Sequence, residues 1–244
     1  MSPSDPKRTK KETRRIIVLK VSGEAFGGGE TPLDEEKISY LSSEIASAKK
    51  ASFVIVPGGG NILRGKSLKD RGYDKAESDY LGMLSTVYNS VCLKHSLEKK
   101  GLRCSLFSAL TIEKIARPYT PEAAKRALSE GKHVIVAGGT GNPFVTTDSA
   151  AALRALELGA EILIKATKVD GIYSDDPLKN KKAVFFKTLS YEEAIRKNPL
   201  VCDRTALTML ENSNIKFMVC NIFKPGSIKK AASGKCPGTL VSKK

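Results

Sequence analysis

The stretch IIVLKVSG, residues 16–23, joins a short apolar run to a polar loop that ends in glycine. Its first four residues, 16–19, are Ile, Val and Leu, the composition of a strand that is buried on both faces. Similar apolar runs recur along the chain at residues 53–56, 134–136, 162–164 and 217–219. These five runs predict the strands of one buried sheet.

Helical segments with capping residues separate several of these runs. Four helices are predicted. The first covers residues 34–50 and carries Ile38, Leu41, Ile45 and Ala48 on one face. The second is capped by Thr120 and ends at Gly131, the third is capped by Thr147 or Asp148 and ends at Gly159, and the fourth begins with Ser190 and Glu193 and is stopped by Pro199. Strands that alternate with helices are typical of an α/β fold whose central sheet is mostly parallel.

Polar loops, three of which contain glycine, follow four of the five predicted strands. They comprise residues 20–23, 58–61, 138–142 and 165–168. Because the carboxyl ends of parallel strands lie on one edge of a sheet, these loops are expected to meet at a single crevice, where open α/β sheets bind ligands.

The residue types in these loops suit phosphate chemistry. Glycine lets backbone N–H groups approach phosphate oxygens, and the two glycine-rich loops indicate two phosphate sites. Lys20 and Lys165 directly follow apolar runs, and Arg64 could add a third cation. Phosphoryl transfer requires fixed cations, because they stabilise the negative charge that spreads over the phosphate oxygens. Each feature alone has a plainer explanation: a tight turn for the glycines and an ordinary surface position for the lysines.

Asp148 has two candidate roles. It could cap the helix that begins beside it, or it could orient the lysines and hold Mg²⁺ through water. An acceptor that is itself a phosphate needs no general base, which fits a chain with only two histidines, His95 and His133. We interpret both histidines as structural, and nothing indicates catalysis by a serine or cysteine nucleophile.

Residues 60–67, GNILRGKS, match the P-loop pattern G-x-x-x-x-G-K-[ST] and place Lys66 at its lysine. A P-loop kinase that uses Lys66 is therefore an alternative. Against it, no predicted strand ends in the Asp that such enzymes use to organise Mg²⁺. Neither glycine-rich loop reads G-x-G-x-x-G, which disfavours a dinucleotide-binding dehydrogenase.

The composition is that of a globular protein with a basic surface. Of the 244 residues 41% are hydrophobic and 27% charged, and the net charge is +15. Nucleic-acid binding without turnover is a further alternative, but much of the charge lies in the two tails and only 6% of residues are aromatic. No apolar stretch is long enough to cross a membrane, and no signal peptide is evident. The five cysteines have no metal-ligand spacing, so we expect reduced thiols in a cytoplasmic protein.

Six segments closely resemble bacterial-type uridylate kinases of the amino acid kinase superfamily. They are LKVSGEAF, GGGNILRG, SDYLGM, AGGTGNPFVTTDSAA, KATKVDGIYSDDP and NIFKPGSI. The resemblance extends from Arg15 to about residue 241. It implies a three-layer α/β/α sandwich and transfer of the γ-phosphoryl group of ATP to UMP in pyrimidine nucleotide synthesis, with Mg²⁺.

The resemblance also implies which residues perform each task. Those around the reacting phosphates would be Lys20, Arg64, Asp148 and Lys165, with Asp148 near the metal. Those binding ATP would be Lys20, Val21, Ser22, Gly23, Gly60, Arg64, Thr167, Tyr173 and Asp176. Those binding UMP would be Gly59, Asp79, Thr140, Gly141, Asn142, Pro143, Phe144, Val145, Thr146 and Thr147.

Organisation and regulation follow from the same resemblance. We expect a disordered basic tail over residues 1–14 and a single amino acid kinase domain over 15–244, with an N-terminal acceptor side and a C-terminal ATP side. A homohexamer and inhibition by UTP are implied. Activation by GTP is not expected, because the loop after Phe26 is shorter than in GTP-activated members and Lys94 stands where they often have Arg.

Overall fold

The computed structural model describes residues 14–28, 31–63, 68, 70–197 and 202–243. The predicted tail, residues 1–14, lies outside these ranges except for Arg14, and so do Arg64, Lys66 and Pro199. Within the described ranges, the chain forms a nine-stranded sheet with helices on both faces and a separate two-stranded sheet. The predicted three-layer α/β/α fold is confirmed.

The strands, in chain order, are β1 (Arg15–Val21), β2 (Ala51–Pro57), β3 (Cys104–Ser108), β4 (Arg117–Pro118), β5 (His133–Ala137), β6 (Ile162–Thr167), β7 (Ile172–Tyr173), β8 (Phe185–Phe186), β9 (Thr188–Ser190), β10 (Lys216–Asn221) and β11 (Thr239–Ser242). The large sheet has the order β4-β3-β5-β2-β1-β6-β10-β11-β9, and only the β10–β11 pair is antiparallel. Strands β7 and β8 form the small sheet. All five predicted strands are present, as β1, β2, β5, β6 and β10.

The described residues form seven α-helices and one 3₁₀ turn, Gly23–Ala25. The helices are α1 (Glu35–Ser47), α2 (Lys75–Lys99), α3 (Pro121–Ser129), α4 (Thr147–Leu158), α5 (Tyr191–Lys197), α6 (Arg204–Glu211) and α7 (Ser227–Ala232). None of the helices in the described part of the chain is both long and apolar enough to span a membrane. The Thr120 cap of α3 and the reciprocal Ser190–Glu193 bonds that open α5 are confirmed.

Two predicted helix boundaries are wrong. Helix α1 ends at Ser47, and Ala48 leaves the helical conformation with ψ near 60°, although its side chain stays buried. Helix α4 is capped by Thr146, whose Oγ1 accepts a hydrogen bond from the Ser149 N–H at 3.2 Å, and not by Thr147 or Asp148. Asp148 is therefore the second residue of α4, and its carboxylate is not used as a cap.

The two faces of β1 explain the three layers. Successive side chains of a strand point to opposite faces of the sheet. Ile17 and Leu19 pack in one core cluster with residues of α1, α2 and α7, whereas Val18 packs in the other with residues of α3, α4 and α6. A strand that is apolar on both faces requires helices on both sides, as this sheet has.

The carboxyl end of β1 is a topological switch point. Strand β2 lies on one side of β1 and β6 on the other, and all three run parallel. The chain leaves β1 toward β2, whereas it leaves β6 toward β9 and β10 on the other side. These two connections therefore diverge, which opens a crevice at this edge of the sheet.

Candidate active site

Lys20 and Lys165 lie side by side at the end of the central strands. Their Cα atoms are register partners on the parallel strands β1 and β6. Lys20 points to the same face of the sheet as Val18, so it faces the α4 layer, where Asp148 lies in the first turn of the helix. The Lys20 Nζ lies 3.0 Å from Asp148 Oδ1, and the Lys165 Nζ donates a hydrogen bond to Asp148 Oδ2. The sequence prediction that these groups converge is confirmed.

These three charged groups, which we call the charge cluster, are nearly buried. Their side chains are 10–14% exposed. Burial lowers the pKa of the Lys20 ammonium, against the attraction of Asp148. Burial alone would raise the pKa of Asp148, but the Lys20 and Lys165 ammonium groups together lower it to about 2. Two cations flanking one carboxylate leave a net positive charge at the floor of the crevice, which favours phosphate.

The two loops beside β1 and β2 pack backbone against backbone. A Cβ on Gly23 would lie 2.6 Å from the Gly60 nitrogen and 2.7 Å from the Asn61 nitrogen, so no side chain fits there. The Gly58 N–H donates to the Val21 carbonyl at 2.7 Å. The side chain of Val21 is fully buried in the core, so only its backbone can face a ligand. The predicted phosphate-binding loops therefore form one continuous surface above Lys20.

A cavity of about 290 Å³ opens on the β6 side of the charge cluster. It is lined by Ser22, Glu24, Lys165, Thr167, Lys168, Val169, Gly171, Tyr173, Asp175, Asp176, Pro177 and Leu178. It brings together four of the residues predicted to bind ATP, namely Ser22, Thr167, Tyr173 and Asp176. The Tyr173 ring packs against Phe185 of β8 at 5.2 Å between centroids, which places an aromatic face in the cavity wall.

The stretch Thr140–Thr147 follows β5 and ends in the first residue of α4. Strand β5 lies on the opposite side of β1 from β6, so this stretch lies on the other side of the charge cluster from the cavity. The Phe144 N–H donates to Asp79 Oδ2 at 2.7 Å, so the structure joins two predicted UMP-binding elements that lie far apart in sequence. Phe144 has a φ of 66° and is 70% exposed. Positive φ is strained for a bulky residue, and such strain concentrates at functional sites.

Two buried polar residues of α2 fix both glycine-rich loops. The Asn89 Nδ2 donates to the Gly58 carbonyl at 2.7 Å, and the Gly138 N–H donates to Thr86 Oγ1 at 2.8 Å. Both side chains are at most 1% exposed. Neither residue was predicted from the sequence. The sequence feature that could have identified them is the pattern of polar and apolar residues in α2. This helix buries polar residues on one face and exposes Tyr80, Leu84 and Tyr88 on the other, the reverse of an ordinary amphipathic helix.

Asp203 was also missed. It caps α6, and its Oδ2 accepts hydrogen bonds from the hydroxyl groups of Thr146 and Ser149. It also lines the small cavity that reaches Lys20 and Asp148. Asp203 therefore connects the end of the Thr140–Thr147 stretch and the start of α4 to α6, and so helps to set the position of Asp148.

The described residues contain no group of three or more His, Cys, Asp or Glu that could build a metal centre. A nucleotide-bound Mg²⁺ needs less, because the phosphates and water supply most of its ligands. Asp148 Oδ1 is buried and accepts no hydrogen bond of acceptable geometry from the described residues, although Lys20 lies 3.0 Å away. Because a carboxylate oxygen has lone pairs beyond its contact with Lys20, Asp148 Oδ1 could also accept a hydrogen bond from a metal-bound water.

The family of the chain follows from a comparison of its sequence with known families. A model described as the amino acid kinase family matches residues 15–221. The chain belongs to the amino acid kinase family. It is thus a phosphotransferase, and the charge cluster lies at the carboxyl ends of two central strands that the family match includes.

Three solved structures resemble this amino acid kinase over nearly its whole length. The UMP kinase from Ureaplasma parvum is 34% identical with a TM-score of 0.88, and the alignment covers 94% of this chain and 99% of that one. The UMP kinase from Bacillus anthracis is 32% identical with a TM-score of 0.89, covering 93% and 96%. The uridylate kinase from Archaeoglobus fulgidus is 30% identical with a TM-score of 0.74, covering 93% and 99%.

Proposed function

We propose that this kinase transfers the γ-phosphoryl group of ATP to UMP, with Mg²⁺, as a cytoplasmic enzyme of pyrimidine nucleotide synthesis. The observation that carries the proposal is the position of the charge cluster. Lys20, Asp148 and Lys165 lie between the cavity beside β6 and the acceptor stretch Thr140–Thr147. The likeness to three structures of UMP and uridylate kinases supports the choice of acceptor.

On the ATP side, we assign the cavity beside β6 to the nucleoside and the loops around Gly23 and Gly60 to the phosphates. Tyr173 offers a ring for stacking on adenine, and Asp176 offers a carboxylate to the sugar. The backbone N–H groups of glycine-rich loops bind phosphate oxygens. Arg64 lies outside the described residues, so its assignment to the transferred phosphate depends on the sequence alone.

On the acceptor side, we assign UMP to Gly59, Asp79 and the stretch Thr140–Thr147. Asp79 already holds the Phe144 N–H, and its Oδ1 pairs with Lys75, so its carboxylate is fixed at the mouth of the crevice. We propose an N-terminal acceptor side and a C-terminal ATP side within one domain over residues 15–244.

The chemistry required of the protein is alignment and charge neutralisation. The phosphate oxygen of UMP is already anionic near neutral pH, so it can attack the γ-phosphorus of ATP without a general base. The bond from this oxygen to phosphorus forms as the bond to the β–γ bridging oxygen breaks, and ADP leaves. Lys20 and Lys165 stabilise the charge on the transferred group. Asp148 would hold Mg²⁺ through water, and the ion would supply further neutralisation of the phosphate charge.

Substrate identity is tested by a panel of nucleoside monophosphates. With ATP and Mg²⁺ we expect ADP formation with UMP to exceed that with CMP, AMP and GMP by more than about tenfold, since loss of one buried hydrogen bond costs that much. A coupled assay measures kcat/KM for each acceptor. EDTA should abolish turnover, and added Mg²⁺ should restore it. Equal rates with all acceptors, or no ADP formation at all, would contradict the proposal.

We further propose a homohexamer in which the exposed apolar face of α2 is one contact. Tyr80, Leu84, Tyr88 and Val91 recur at helical spacing and are 43–51% exposed. Residues 74–79, at the start of α2, hold three carboxylates and one lysine, and residues 94–100, at its end, hold three lysines and one glutamate. A second copy packed antiparallel would therefore pair the acidic end with the basic end.

Leu84→Glu tests this contact. A buried, unpaired carboxylate at the centre of the interface should dissociate the assembly into smaller species. Size-exclusion chromatography with light scattering measures the mass. Lys125→Glu, an exposed change on α3 in the opposite layer, is the control and should leave the mass unchanged. An unaltered mass for Leu84→Glu would rule out this face.

We propose inhibition by UTP and no activation by GTP, which a titration of each nucleotide in the same assay measures. A nucleic-acid-binding module without turnover would instead show salt-sensitive binding to RNA or DNA and no ADP release with UMP.

A further inference from the structure

Arg154 is a buried cation that the proposed chemistry does not use. It lies on α4 and is 4% exposed. Its Nη1 lies 2.9 Å from Glu157 Oε2, and its Cζ lies 3.9 Å from the centre of the Tyr119 ring. The Tyr119 hydroxyl donates to the same Glu157 oxygen at 2.7 Å. A buried guanidinium requires this many partners, because an unpaired buried charge is costly.

The other terminal nitrogen of the Arg154 guanidinium contacts the second glycine-rich loop, residues 138–142. Its Nη2 donates to the Gly139 carbonyl at 3.2 Å. Gly138 and Gly139 both have positive φ, 76° and 57°, which leaves the loop backbone with more freedom than other residues would allow. On its other side, the loop is held by Thr86, which accepts the Gly138 N–H. Arg154 therefore holds the peptide between Gly139 and Thr140, whereas the Gly138 N–H is held by Thr86 and the Gly138 carbonyl by the Gly141 N–H.

The orientation of that peptide matters for ligand binding. In a planar trans peptide, the C=O and the following N–H point in opposite directions. With the Gly139 carbonyl turned toward Arg154, the Thr140 N–H points away from it. This N–H donates no hydrogen bond to the described residues, and Thr140 is partly exposed at the start of the proposed acceptor stretch. A fixed and unsatisfied N–H at this place is suited to bind an oxygen of the acceptor.

We propose that Arg154 is a positioning residue that, by fixing the Gly139 carbonyl, directs the Thr140 N–H toward the acceptor nucleotide. The inference rests on the proposed function, since it takes UMP as the acceptor. The geometry assigns to Arg154 an effect on acceptor binding and not on ATP binding, because the ATP cavity lies on the other side of the charge cluster and does not include Arg154 or Gly139.

Arg154→Met removes the hydrogen bond to Gly139 while keeping an unbranched side chain of similar length. We expect the KM for UMP to rise about tenfold, the effect of one lost hydrogen bond, with the KM for ATP within about twofold of the wild type. Arg154→Lys keeps a donor and should give an intermediate KM for UMP. Steady-state kinetics with each substrate varied in turn, together with urea unfolding, provide the readouts.

Tyr119→Phe is the matched control. It removes a hydroxyl from the same buried cluster and leaves the contact between Arg154 and Gly139, so it should lower stability without changing either KM. Unchanged KM values for Arg154→Met, or equal increases for both substrates, would overturn the inference. If Arg154→Met does not fold, Arg154→Lys decides alone: a raised KM for UMP supports the inference, and a wild-type value overturns it. Wild-type enzyme that does not phosphorylate UMP would instead refute the proposed function.

Discussion

Replacement of Lys20 by alanine is expected to lower kcat by about 10²–10³-fold, the range found when one preorganised electrostatic contact to a transition state is removed. The Lys20 ammonium is buried beside Asp148 and positioned by the register of β1 and β6, and a water molecule that filled its place in the variant would carry no positive charge. Because the contact forms mainly with the charge of the transferred group, the loss should appear in kcat more than in the KM for ATP. Steady-state kinetics with UMP and ATP measures both.

Lys66→Ala is the matched control, since Lys66 is the lysine of the P-loop alternative. This variant should keep most of the wild-type kcat. The opposite pattern, with Lys66→Ala inactive and Lys20→Ala active, would establish the P-loop alternative. We expect the urea midpoint of Lys20→Ala to stay near that of the wild type, because Asp148 remains paired with Lys165. An unchanged midpoint would exclude loss of folding as the cause of the lower kcat.

The convergence of Lys20 and Lys165 could be predicted because it depends on local signals. Each lysine follows an apolar run, each run forms a strand, and parallel strands end at one edge of the sheet. The same reasoning predicted all five central strands. It could not give the strand order, but the edge at which the residues meet is independent of that order.

The supporting residues could not be predicted, because they act over long sequence distances. Asn89 binds the Gly58 carbonyl and Thr86 binds the Gly138 N–H from the middle of α2, where no motif marks a buried polar residue as a loop support. Their role depends on how α2 packs, which the sequence alone does not determine.

The cap of α4 was ambiguous for a different reason. Thr146, Thr147 and Asp148 are all residue types that cap helices, so local preference could not choose among them. The choice depends on tertiary contacts. Asp203 accepts hydrogen bonds from Thr146 and Ser149, which holds the start of α4 in the register that turns Asp148 toward the lysines.

Asp148→Asn is expected to have the largest combined effect on stability and activity. The change leaves two buried ammonium groups side by side without an anion, and breaking a buried ion pair in this way costs roughly 3–5 kcal/mol of unfolding free energy. The amide has nearly the shape of the carboxylate, so packing is preserved and the loss is electrostatic. We expect the urea midpoint to fall sharply and kcat to fall by about 10²-fold or more.

The pH dependence separates charge from shape. The pKa of Asp148 is lowered to about 2 in the folded protein, so its contribution to stability is complete above its unfolded value of about 4 and is lost as the pH falls toward 2. Asp148→Asn lacks this group, so the stability difference between variant and wild type should shrink over the same range.

At alkaline pH, Asp148→Asn is expected to change activity through the pKa of Lys20. Burial and the Lys165 charge lower the pKa of Lys20, and Asp148 is the main group that raises it. Without the carboxylate, Lys20 should lose its proton at a lower pH, and the alkaline limb of the kcat profile should move to lower pH. A variant with wild-type kcat and an unmoved alkaline limb would show that Asp148 does not hold Lys20 in its charged form, and the charge cluster would then lose its catalytic interpretation.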